Sequence, residues 1–83
     1  MGKSNDLDKA FGETLRELRL AKKLTQEQLG FEADLRRTFV SSLELGEKQP
    51  TLLTIFKLSK ALKIAPSQMI SLVEDGLKVS NKV

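Results

Sequence analysis

Arg36, Arg37 and Thr38 stand together, followed by Ser41 and Ser42, and these are the side chains in this sequence with the most pointed chemistry. Guanidinium groups donate forked hydrogen bonds to phosphate oxygens and to guanine edges, and short hydroxyls can lie close to a duplex. A plain solvated helix face carries Glu–Lys pairs instead. Other chemistry is short of parts. The 83 residues hold no histidine and no cysteine, so a Ser-His-Asp or Cys-His arrangement and a thiolate zinc site cannot be built. The carboxylates mostly stand beside Lys or Arg. No enzyme activity, metal or cofactor is expected.

The elements that must position the arginines read as two short helices joined by a tight turn, over about 25–45. Thr25-Gln26-Glu27-Gln28 is a capping box, in which Thr25 accepts from the Gln28 amide and the Gln28 side chain reaches back. Leu29 and Ala33 fall on one face, and Gly30 leaves room for another helix to approach. A second helix is predicted from about Leu35 to Leu45, with Leu35, Val40 and Leu43 inward and Arg36, Arg37, Thr38, Ser41 and Ser42 outward. Gly46 closes it in the left-handed conformation. A helix-turn-helix of this kind fits a DNA major groove.

The flanks read as further helices. Asp6 or Asp8 caps a first helix to about Lys23, with Leu7, Phe11, Leu15 and Leu18 at helical spacing and Gly12 marking close packing. Thr51 caps a fourth helix with Leu52, Ile55, Leu58, Ala61 and Leu62 inward and Lys57, Lys60 and Lys63 exposed. Pro66 opens a fifth, carrying Met69, Ile70 and Val73, which Gly76 is expected to end. The chain is therefore read as all-α, a compact five-helix bundle. Residues 1–5 are expected to be disordered, 6–75 to form one DNA-binding domain, and 76–83 to be a tail, either frayed or an arm added to a partner. A chain this short makes a single modest core. No apolar run approaches the roughly 20 residues that cross a bilayer, and the N-terminus has no signal-peptide core, so a cytoplasmic protein is expected. The net charge of +3 is modest, but Arg36, Arg37 and Lys48 gather around the helix-turn-helix, making one end electropositive.

TQEQLG, followed by Leu35, Val40-Ser41, Leu43-Glu44, Gly46 and Pro50-Thr51-Leu52, resembles the phage repressor and Cro (Xre-type) helix-turn-helix family. The match extends over roughly 9–73. Arg37-Thr38-Phe39-Val40-Ser41 is most similar to the controller proteins of restriction-modification systems. The resemblance implies a lambda-repressor-like fold and a transcriptional regulator of double-stranded DNA. It implies base contacts from Arg37, Thr38 and Ser42, and a phosphate held by the backbone N–H of Gln26, a residue that in the family often braces a recognition residue as well. Arg36 is given a phosphate role, although the family usually has a capping Ser, Asp or Thr there. Either Asp34 caps the recognition helix from upstream or its start is left bare. Phe39 is assigned to the DNA, against the sugar-phosphate wall or a thymine methyl, with packing against a neighbouring loop as the alternative. Lys48, Gln49 and Thr51 are assigned to the DNA backbone on the far side of the groove, Lys48 being equally readable as a free surface lysine. Arg19 and Glu44 match a structural salt bridge joining the first helix to the recognition helix.

A regulator of this size gains affinity by pairing two half-sites about 34 Å apart, so a homodimer on a pseudo-palindromic operator is expected. Ile64, Met69, Ile70, Leu72 and Val73 exceed the needs of one small core and are assigned to the dimer interface. Phe31 stands where the family is polar, and packs either on the C-terminal segment or on a second subunit. The competing reading is an antitoxin or interaction module, with a toxin as partner and DNA binding secondary. Activation would need a surface for RNA polymerase, for which Glu32 and Glu47 are candidates.

Overall fold

In the computed structural model, which describes the backbone of residues 2–81 and the side chains of residues 6–77, the chain forms five helices. They are α1 (Gly2–Ala21), α2 (Gln26–Ala33), α3 (Arg37–Glu44), α4 (Leu52–Ala61) and α5 (Pro66–Asn81). No strand occurs among the described residues. α1 packs against α3 on one side and α5 on the other, α2 against α3 and α4, and α4 against α5. Phe11, Leu15, Leu29, Val40, Leu43, Leu58, Leu62, Met69 and Val73 fill the space between them. Each helix thus gives the core its i, i+3 or i+4 apolar positions.

Two glycines set the spacing around α3. A Cβ on Gly12 would stand 2.5 Å from the carbonyl oxygens of both Leu43 and Glu44, and one on Gly30 would stand 2.7 Å from that of Leu35. α1 and α2 can therefore lie against the ends of α3 only without side chains at those points. α3 ends in a Schellman motif, with Gly46 at φ 76° and the Glu47 and Gly46 amides donating to the Ser42 and Leu43 carbonyls at 3.0 and 3.1 Å.

The ends differ from the sequence expectation. α1 begins at Gly2, upstream of both Asp6 and Asp8, so neither aspartate caps it and residues 2–5 are helical; residue 1 lies outside the described residues. α5 runs through Gly76 to Asn81, so most of the expected tail is helix, and residues 82–83 lie outside the described residues. One interior glycine costs about 1 kcal/mol, and Leu77, packed on the core, offsets it. Leu7 and Leu52, expected inward, are exposed.

Candidate nucleic-acid interface

α3 presents its polar side to solvent because its apolar residues are consumed. Val40 and Leu43 are fully buried, Arg36, Arg37 and Thr38 are exposed, and Ser41 and Ser42 are half-buried one turn on. Arg36 is the N-cap, in extended conformation, and makes no side-chain cap. Asp34 does not replace it. Its backbone is left-handed at φ 59° and terminates α2, and its carboxylate lies 3.7 Å from Lys57 Nζ. The start of the recognition helix is thus bare, with two guanidinium groups beside it.

Thr25 Oγ1 accepts from the Gln28 amide at 3.0 Å and Gln28 Oε1 from the Thr25 amide at 2.8 Å, completing the capping box on α2. Gln26, the first residue of that helix, donates from Nε2 to Glu44 Oε1 at 2.9 Å. Glu44 also receives Arg19, Nε to Oε2 at 2.6 Å and Nη2 to Oε1 at 3.0 Å, while Arg19 Nη1 donates to the Leu24 carbonyl at 2.8 Å. Their side chains are 9% and 3% exposed. The hydrogen bonds to Glu44 raise the Arg19 pKa above its ordinary value, against the opposing effect of burial and with the help of the Glu44 charge. The expected Arg19–Glu44 pair is therefore present, and it is larger than expected: Gln26 joins it, so one carboxylate ties α1, α2 and α3 together.

Not every assigned residue is free for DNA. Phe39 is half-buried with one side packed against the core, which leaves part of the ring for a neighbour. The Thr51 hydroxyl accepts from the Thr54 amide at 3.1 Å and shares a hydrogen bond with Thr54 Oγ1 at 3.0 Å, so it caps α4. Lys48 and Gln49 are exposed on the loop between α3 and α4.

The residues assigned to the dimer surface separate. Met69 and Val73 are in the core, 0% and 4% exposed, which removes them from any direct interface. They sit four apart on the inward stripe of α5, so the surplus of apolar residues on that helix is smaller than its composition suggests. Ile70 and Leu72 remain exposed on different sides of α5, and Ile64 is half-buried. The larger open apolar area is on α4. Leu52, Leu53 and Phe56 are 70%, 64% and 53% exposed, and Leu53 and Phe56 line one cleft with Ile64 and Pro66. The signal for it was present in Leu52-Leu53 and Phe56, a second apolar stripe beside the Ile55–Leu58–Leu62 one. Phe31 is 88% exposed, and among the described residues it is not covered by the C-terminal segment.

A bare recognition helix with outward arginines, braced by a neighbouring capped helix, defines a helix-turn-helix DNA-binding protein. The helix-turn-helix family model matches residues 15–69, and the chain belongs to this family of Xre-type DNA-binding transcriptional regulators. Among its relatives, it is 38% identical over 74 residues to the control protein C.BamHI of Bacillus amyloliquefaciens, covering 88% of this chain and 91% of that one. It is 38% identical over 71 residues to the control protein C.MunI of a Mycoplasma species, covering 84% and 96%. The crystal structure of the restriction-modification controller protein C.AhdI from Aeromonas hydrophila superposes with a TM-score of 0.73 at 44% identity, over 75% of this chain and 94% of that one. The finer resemblance read from Arg37 to Ser41 thus agrees with the relatives. No helix among the described residues is long and apolar enough to cross a membrane.

Proposed function

We infer that this chain is a control protein that binds a pseudo-palindromic operator as a homodimer and regulates genes of a restriction-modification system. The observation that carries the DNA-binding part is the exposed Arg36-Arg37-Thr38 face of α3, held in register by the buried Arg19–Glu44–Gln26 network. Arg37, Thr38 and Ser42 read base edges. Arg37 donates two parallel bonds to a guanine, worth about 1–3 kcal/mol of discrimination. Arg36, Lys48 and Gln49 contact phosphates, and the N–H groups at the starts of α2 and α4, next to Gln26 and Thr51, receive phosphates on either side. The side chain of Gln26 has a different task, because Glu44 already holds it.

The two-fold contact is assigned to Leu52, Leu53 and Phe56 of α4 with Ile64. An exposed apolar surface of this kind on a small domain marks a protein interface, and closing it against its own copy gives an isologous dimer. Phe56→Asp is expected to weaken dimerisation in sedimentation equilibrium by at least roughly tenfold, about 1.4 kcal/mol, and to weaken binding to a palindromic operator with it. Ile70→Asp is expected to change neither. Dimerisation lost in Ile70→Asp and kept in Phe56→Asp would return the interface to α5.

A further inference from the structure

We propose that the groove between α1 and α5 is a docking site for a basic amphipathic helix of another protein. The groove encloses about 540 Å³. Its floor is made by Ala10, Thr14 and Leu18 of α1, spaced four residues apart, with Leu72 of α5 beside them. That run is about 12 Å long, two turns of helix, and suits a pair of apolar anchors at i and i+4. Three carboxylates ring it: Glu13 and Glu17, one turn apart on α1, and Asp75 on α5. All three are exposed, and among the described residues none forms an ion pair.

Gly76 keeps the groove open. Among the described residues, a Cβ there would meet the Ala10 Cβ, at 3.9 Å, an ordinary contact. Close packing therefore does not require this glycine, in contrast to Gly12 and Gly30. A larger residue would improve helix propensity and would fill the cleft.

Charge selects the occupant. An apolar floor edged by carboxylates favours an apolar segment flanked by Lys or Arg and repels DNA, so the groove stays available when α3 is engaged. A second copy of this chain is the weaker candidate. Its lysine-flanked apolar face is α4, where Leu53 and Phe56 adjoin Lys57 and Lys60, and the two-fold contact uses that face.

The test uses the full chain and, as probe, a 14-residue helical peptide of leucine and lysine with leucines on one face; a scrambled peptide of the same composition is the control. Amide shifts are expected at Ala10, Glu13, Thr14, Glu17, Leu72 and Gly76 on adding the probe and not the control. Affinity is expected to fall at least tenfold in Glu13→Gln/Glu17→Gln/Asp75→Asn and in Gly76→Leu, while both variants keep wild-type operator binding, which also shows that they fold. Absence of saturable binding, shifts centred on α4 or on Glu27 and Glu32, or undiminished binding to Gly76→Leu would overturn the proposal. So would assembly of the free chain beyond a dimer that Gly76→Leu abolishes, because the occupant would then be a second copy.

Discussion

Glu44→Ala is expected to cost this protein about 3–5 kcal/mol, because it strands a buried guanidinium. Arg19 and Glu44 are among the least exposed charged groups described, and each satisfies the other twice over. Without Glu44, Arg19 keeps the Leu24 carbonyl alone, and Gln26 loses its acceptor. For a small domain whose total stability is of order 5–15 kcal/mol, that is a large share, and DNA affinity should fall without any DNA-facing residue having changed. Arg19→Met/Glu44→Met should recover most of the stability, since replacing both partners of a buried pair by apolar groups removes the stranded charge. Urea denaturation of the wild type, Arg19→Met, Glu44→Met and the double variant measures the coupling. A Glu44→Ala cost below about 1 kcal/mol, the size of a surface pair, would mean that the network does not hold the three helices together.

The second large effect belongs to Gly12. Alanine in place of an interior helical glycine ordinarily gains about 1 kcal/mol, and Gly76→Ala is expected to show that gain because its Cβ has room. Gly12→Ala should do the opposite and cost about 1–3 kcal/mol, since its methyl would meet two carbonyl oxygens at 2.5 Å that belong to backbone and cannot rotate away. The strain is relieved only by parting α1 from α3, which draws Arg19 away from Glu44. Thermal melts of the two alanine variants therefore should move in opposite directions. A stabilised Gly12→Ala would show that α1 and α3 are less closely packed than described.

Where the sequence was legible, the signal was local. The capping box at Thr25, the left-handed Gly46, Pro66 opening α5 and Thr51 capping α4 are each written in a few adjacent residues, and each is found in place. Gly12 and Gly30 were readable as packing signals because a glycine within a helix is otherwise a cost. What the sequence left open depended on which of two apolar stripes a helix turns inward. Met69 and Val73 went to the core and Leu52 to the surface, and composition could not sort them, because the neighbouring helices decide which stripe is covered. Gly76 misled for a related reason, as a glycine can end a helix or simply be carried within one that Leu77 anchors. Arg19 and Glu44 are paired, and Gln26 is read as a brace, by resemblance to the family, whereas the convergence of Gln26 and Arg19 on one carboxylate required the helices to be assembled.

Whether α3 reads a symmetric operator through Arg37 is decided by selecting bound duplexes from a random pool with the wild-type protein and Arg37→Ala at two salt concentrations. A two-fold symmetric consensus is expected for the wild type. In the variant, preference should relax at one base pair per half-site, with affinity for other positions falling uniformly as salt rises. Enrichment of no sequence, or an identical consensus from Arg37→Ala, would contradict readout through Arg37.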